Sequence, residues 1–113
     1  MTRERRQFSR APHPFELRYR QYGEFTSSWT DASTINLSAG GMRFRSPDTL
    51  ERAALLELEI TIPSAREALV IRGQVAWSQL QASGVIENGV QFIEVSPEQQ
   101  MRIDELVRFL RPG

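Results

Sequence analysis

Two arginines near the amino terminus, Arg6 and Arg10, carry side chains suited to binding phosphates and purine bases. Each guanidinium holds five N–H donors in a rigid fork, which can bind two phosphate oxygens or the O6 and N7 atoms of guanine. The same flat group can stack on a purine ring. Alone, these residues also fit a solvated basic tail, because the first twenty residues contain six arginines and only two glutamates.

A second group of polar and small residues occupies the segment 36–41, which has the sequence Asn-Leu-Ser-Ala-Gly-Gly. Asn36 can present its amide to the edge of a guanine, and Ser38 adds a hydroxyl. Gly40 and Gly41 allow a backbone to approach where a Cβ would clash. Together with the arginines, this segment favours ligand binding over a basic tail.

These two groups resemble the signature of the PilZ domain family. Arg6 and Arg10 fit the RxxxR motif of that family, and Asn36, Ser38 and Gly41 fit its (D/N)xSxxG motif. Each motif is weak alone, since both are common combinations of residues. Their joint occurrence in this order identifies the chain as similar to PilZ domains.

The likeness continues in the second half of the chain, at Gly-Val-Gln-Phe of 89–92 and at Ser-Pro-Glu of 96–98. The resemblance implies a mainly β fold, a six-stranded antiparallel β-barrel with one C-terminal α-helix. It also implies a receptor that binds cyclic di-GMP and relays the signal to an effector protein in motility, pilus, flagellar or biofilm control. Residues beside the two motifs, Arg5 and Gly40, are then further candidates for ligand contact.

One position departs from the form that many members of the family have. Asn36 stands where they carry aspartate, and a neutral amide cannot make a charge-assisted bond to the N1–H and N2–H donors of guanine. The family motif admits either residue. We therefore expect binding to persist, with lower affinity.

The spacing of apolar residues predicts the elements that position these motifs. Residues 1–14 have little periodicity and predict a flexible arm, and residues 15–113 predict a single barrel domain. Alternation of apolar and polar residues predicts strands at about 15–20, 29–37, 42–45, 56–62 and 68–78. Several short strands with turn signals favour a closed or nearly closed antiparallel barrel.

The end of the chain predicts a hairpin and a helix. Asn88 and Gly89 are a strong signal for a tight turn, here joining two short strands at 85–86 and about 90–92. Ser96 and Gln99 form a capping box around a proline, which predicts a helix over 97–110. One face of that helix is apolar, with Ile103, Leu106, Val107 and Leu110.

The composition restricts the class of protein. With 113 residues and 40% hydrophobic residues, the chain can build one modest core. Its apolar runs are far shorter than the roughly 20 residues that span a bilayer, and no secretory signal is evident. Together with the absence of cysteine, this predicts a cytoplasmic protein without membrane insertion.

No residue pattern indicates catalysis or a metal site. Ser38 is not expected to act as a nucleophile, because His13 is the single histidine and no G-x-S-x-G elbow occurs. His13 alone cannot hold a metal ion, and no cofactor besides the ligand is implied. The two tryptophans, Trp29 and Trp77, are expected in the core or at a barrel end rather than stacked on a base.

Two alternative functions remain open. The domain could act as an adaptor that binds proteins and no nucleotide, as some family members do, although complete motifs argue against this. It could also bind RNA or DNA through the arginine arm. The zero net charge and the small number of tryptophans and tyrosines, two of each, disfavour a nucleic-acid partner.

Overall fold

In the computed structural model, which describes residues 16–23, 28–62 and 67–110, six antiparallel strands form a closed barrel that is followed by one helix. The elements are β1 (Glu16–Gln21), β2 (Thr30–Ser38), β3 (Gly41–Ser46), β4 (Leu55–Ile62), β5 (Glu67–Leu80), β6 (Ile86–Ile93) and α1 (Pro97–Leu110). The strands follow the order β1-β2-β3-β6-β5-β4 around the barrel, and β4 pairs with β1 to complete the ring. The predicted six-stranded barrel with a C-terminal helix is confirmed.

The core fills the inside of the ring, as the alternation in β4 predicts. Leu56, Leu58 and Ile60 are fully buried. The acids between them, Glu57 and Glu59, lie on the outer face in ion pairs with arginines of β1. Burying each of these apolar side chains contributes about 1.5–3 kcal/mol to the free energy of folding.

The sequence-based prediction of a hairpin at Asn88 and Gly89 is wrong, because β6 continues through both residues. A tight turn of that type needs a positive φ at both positions, and neither residue has one. Asn88 is instead fully buried with hydrogen bonds inside the barrel, and Gly89 lies beneath the ring of Trp77. The turn into β6 comes earlier, where Gly84 has a φ of 93°.

The helix begins at the predicted capping box. The hydroxyl of Ser96 accepts a hydrogen bond from the Gln99 backbone N–H (3.1 Å), and the Gln99 side-chain oxygen accepts one from the Ser96 N–H (2.9 Å). Ile103 and Leu106 are buried with the barrel core, whereas the side chain of Leu110 lies outside the described part. The helix therefore covers the end of the barrel where β2 ends and β5 begins.

Candidate functional site

The second motif faces solvent because β2 contains a β-bulge. The register with β3 skips Ile35, which lies between Thr34 and Asn36. An extra residue of this kind reverses which side chains face the core beyond it. Asn36 and Ser38 are therefore exposed on the outer face, whereas Leu37 packs against the core.

The turn between β2 and β3 is held by three hydrogen bonds. The Ser38 hydroxyl donates to the carbonyl oxygen of Gly41 (3.2 Å). A backbone N–H of β6 donates to the carbonyl oxygen of Gly40 (2.9 Å), and the Gln100 side chain of α1 donates to that of Ala39 (3.2 Å). The motif is thus fixed to both β6 and the helix before any ligand arrives.

The two glycines of the motif have different roles. A Cβ at Gly41 would overlap the carbonyl oxygen of Val90 on β6, so the close approach that requires glycine there is made by the protein itself. A Cβ at Gly40 would meet nothing within 4 Å. The space beside Gly40 is therefore free for a bound molecule.

A groove of about 340 Å³ lies beside this turn and crosses the outer faces of β2, β3, β6 and β5. It is lined by Asn36, Ser38, Gly40, Gly41, Met42, Arg43, Ala76, Trp77, Gly89, Val90 and Gln91. Four of these residues, Asn36, Ser38, Gly40 and Gly41, belong to the site predicted from the sequence. The other predicted members, Arg5, Arg6 and Arg10, lie outside the described residues.

Trp77 forms one wall of the groove, which differs from the expectation that it lies in the core or at a barrel end. A second bulge, at Ala76, places Trp77 on the outer face of β5 opposite Gly89. The indole stands over Gly89, where a Cβ would overlap the ring. With 37% of its surface exposed, Trp77 offers a flat apolar face to a planar ligand.

Trp29 is also not a core residue. It is half-buried, and its ring lies beside two guanidinium groups of β1, with Arg20 at 4.3 Å and Arg18 at 5.3 Å from the ring centroid. It does not line the groove. Trp29 therefore stabilises the outer surface near β1.

Arg43 is a groove residue that sequence reasoning did not identify. Its side chain is 45% exposed, lies 6.0 Å from the Trp77 ring centroid and makes a long ion pair of 3.4 Å with Glu87. Among the described residues that line the groove, it alone carries a charge, so it is the lining side chain suited to contact an anion. The alternation in β3 marks Arg43 as outward-facing, but its pairing with Asn36 across the two strands depends on the bulge in β2 and could not be predicted from the residue pattern.

The described parts of the chain show neither a metal site nor a membrane-spanning helix. No group of three or more His, Cys, Asp or Glu side chains in 16–23, 28–62 and 67–110 is placed to hold a metal ion. Over the same residues, the structure contains no helix of the length and apolar character needed to cross a bilayer. The described residues that line the groove supply an indole face, amide and hydroxyl hydrogen-bonding groups, and one guanidinium.

Comparison with protein families gives a match over almost the whole chain. The family profile described as PilZ domain matches residues 4–109. This range includes the two arginines of the first motif and also all of the groove residues. No curated protein sequence matches the chain.

Three solved structures share the fold at low sequence identity. The complex of YcgR with c-di-GMP from Escherichia coli superposes with a TM-score of 0.68 at 18% identity, over 88% of this chain and 42% of that one. The PilZ domain of the same protein with c-di-GMP gives 0.63 at 14% identity, over 83% and 81%. The Bacillus subtilis inhibitor of motility, MotI/DgrA, gives 0.66 at 14% identity, over 84% and 46%. The chain thus spans less than half the length of YcgR and MotI.

Proposed function

Because the chain belongs to the PilZ domain family, we propose that it is a non-enzymatic receptor domain for cyclic di-GMP. The observation that carries the proposal is the groove, in which the polar residues of the second motif stand beside an exposed tryptophan and an arginine. These groups suit the edge of a guanine, its flat face and a phosphate respectively. Two structures of the same fold are complexes with c-di-GMP.

The hydrogen bond inside the turn determines what Ser38 can offer a ligand. Its hydroxyl proton is already donated to the carbonyl of Gly41, which leaves the oxygen lone pairs as acceptors. The N1–H and N2–H groups of guanine are donors that match such an acceptor. In this proposal, Asn36 supplies a second acceptor through its amide oxygen, and both residues recognise the same guanine edge.

The size of the groove supports a role for the arm in binding. About 340 Å³ is near the lower end of the range for ligand pockets, roughly 300–1,000 Å³. A molecule with two guanines and two phosphates therefore extends beyond the groove. We propose that Arg6 and Arg10, with Arg5 as a further contact, cover the remaining part of the ligand and bind its phosphates or second guanine.

The domain has no catalytic role in this proposal. Ligand binding lays the arm across the outer face of the barrel, and an effector protein recognises the surface made by arm, ligand and groove. Control of motility or biofilm formation in the cytoplasm is the setting that the family implies. The same surface also defines the alternative, an adaptor that binds its protein partner without any nucleotide.

Isothermal titration with cyclic di-GMP tests the proposal. We expect saturable binding that persists with excess single-stranded oligonucleotide, and much weaker binding of cyclic di-AMP, because adenine presents a donor where guanine has the O6 acceptor. No binding of cyclic di-GMP would favour the adaptor without nucleotide. Competition by the oligonucleotide would favour a nucleic-acid partner, and equal affinity for the two dinucleotides would exclude guanine recognition.

A further inference from the structure

A buried asparagine connects three strands directly behind the groove. Asn88 of β6 is fully buried, and its side-chain oxygen accepts a hydrogen bond from the Ser78 hydroxyl of β5 (2.6 Å). Its amide nitrogen donates to the Ser46 hydroxyl of β3 (2.9 Å) and to the carbonyl oxygen of Phe44 (3.4 Å). A buried amide is costly unless it is bonded, so this network strongly favours one arrangement of the three strands.

The bulge in β5 links this buried network to the groove, because it decides whether Trp77 faces the groove or the inside of the barrel. Val75 is buried in the core, Ala76 is the extra residue, and beyond it Trp77 faces outward and Ser78 inward. Without the bulge, regular alternation would place Ala76 opposite Gly89. Trp77 would then face the inside of the barrel opposite Asn88, and Ser78 would face solvent.

The two registers of β5 differ in which buried hydrogen-bonding groups have a partner. In the observed register, the Ser78 hydroxyl donates to Asn88 and accepts a hydrogen bond from the backbone N–H of Leu50 (3.0 Å). In the regular register, both bonds are lost and the buried oxygen of Asn88 has no donor from β5. The two hydrogen bonds that favour the bulged register thus lie inside the barrel, on the side opposite the groove.

We propose that Ser78, through its hydrogen bond to Asn88, is a positioning residue for the ligand groove, because it holds Trp77 on the outer face over Gly89. Ser78 itself does not touch the ligand. The effect on ligand affinity rests on the proposed function. The effect on the position of Trp77 does not, and it is measured in the free protein.

Ser46 provides a matched control on the other side of the network. Its hydroxyl also donates one bond, to the carbonyl oxygen of Asp48 (2.6 Å), and accepts one, from Asn88. Ser46→Ala removes both of these bonds and also the hydrogen bond between Ser46 and Tyr19, so it disturbs the interior of the barrel at least as much as Ser78→Ala does. It leaves the link between Asn88 and β5 in place, so an effect that comes only from general loosening of the interior should appear in Ser46→Ala as well.

The experiment is NMR of the full chain without ligand, followed by titration with cyclic di-GMP. In the wild type, we expect nuclear Overhauser contacts between the Trp77 indole protons and the Gly89 α-protons, with an upfield ring-current shift of the latter. Ser78→Ala should lose this signature and bind cyclic di-GMP at least about tenfold more weakly, because a base loses its stacking surface. Ser46→Ala should keep the signature, and Ser78→Thr, which restores a hydroxyl, should rescue it.

A deletion separates the role in register from a role in stability. Without Ala76, regular alternation alone places Trp77 opposite Gly89 on the outer face, so Ser78→Ala in that background should leave the signature unchanged. This variant is informative even if Ser78→Ala alone does not fold. Retention of the signature in Ser78→Ala, or its equal loss in Ser46→Ala, would overturn the inference. If no variant binds cyclic di-GMP but the signature behaves as expected, the proposed function fails and this inference stands.

Discussion

The carbonyl oxygen of Val90 occupies the space where a side chain at Gly41 would begin, so β3 and β6 approach each other more closely there than any other residue would permit. We expect Gly41→Ala to lower the free energy of unfolding by about 1–3 kcal/mol, as overpacking does. Gly40→Ala, with open space around it, should change stability by less than about 0.5 kcal/mol. Urea unfolding of the two variants provides the comparison, and equal stabilities would contradict the structural role of Gly41.

Removal of either motif arginine should weaken binding without unfolding the protein. Arg6→Ala and Arg10→Ala should each reduce the affinity for cyclic di-GMP about tenfold or more, since a hydrogen bond to a charged group contributes about 1.5–3 kcal/mol. Calorimetric titration measures the loss, with Arg3→Ala as a control on the same arm. The thermal midpoint of the free protein should stay nearly constant. An unfolded variant would show that the arm is part of the core structure.

Trp77 should contribute to binding more than Trp29 does. Trp77→Leu removes the flat wall of the groove and should cost about 1–3 kcal/mol of binding free energy if a base stacks there. Trp29→Leu makes the same chemical change beside Arg18 and Arg20, away from the groove. Titration of both variants decides the point: equal losses would mean that neither tryptophan stacks on the ligand.

Replacing the neutral amide of the second motif should strengthen binding. Asn36→Asp introduces a carboxylate that can accept charge-assisted bonds from a guanine, with an expected gain of roughly 1 kcal/mol, or about fivefold in affinity. Ser33→Asp adds the same charge to the outer face of β2 without lining the groove, and it should give no gain. Weaker binding of Asn36→Asp would indicate that Asn36 donates to the ligand.

The stability of the barrel should fall in strong alkali because of Tyr19. Burial raises the pKa of Tyr19 above its ordinary value of 10.0, an effect that hydrogen bonds with Ser46 and Thr30 only partly oppose. Below pH 10 the tyrosine is protonated in both states, and its contribution is fully present. As the pH rises from 10 towards the folded pKa, the unfolded chain loses the proton first, so stability declines. Tyr19→Phe should flatten this part of the curve of unfolding free energy against pH.

Local patterns in the sequence predicted the elements where side chains alternate regularly. The strand β4 and the capping box of α1 appear as expected, because each depends on neighbours within a few residues. The prediction of a turn at Asn88 and Gly89 failed because the backbone there depends on residues outside its immediate neighbourhood. Turn preference is a local property. Here the backbone conformation depends on a buried hydrogen-bond network with β3 and β5, and on the Trp77 ring that lies over Gly89.

The candidate site was predictable only in part for the same reason. Asn36, Ser38, Gly40 and Gly41 are recognisable as a motif, but their partners across the groove are not. Each of the two strands has one extra residue, Ile35 in β2 and Ala76 in β5. Beyond it, the side chains that would face the core face outward and the reverse, and the alternation of apolar and polar residues does not show where the extra residue lies. This is why Trp77 was expected in the core or at a barrel end and is found on the outer face.

The closed ring of strands restricts how another protein can recognise this domain. Within the described residues, each strand pairs with a neighbour on both sides over at least part of its length, so the ring has no edge strand that a partner could extend along its whole length. A partner would instead have to recognise the side chains of the outer face together with the molecule bound in the groove. We therefore expect recognition of the proposed effector protein to depend on side chains of the outer face, where substitutions can change the partner while the barrel beneath stays unchanged.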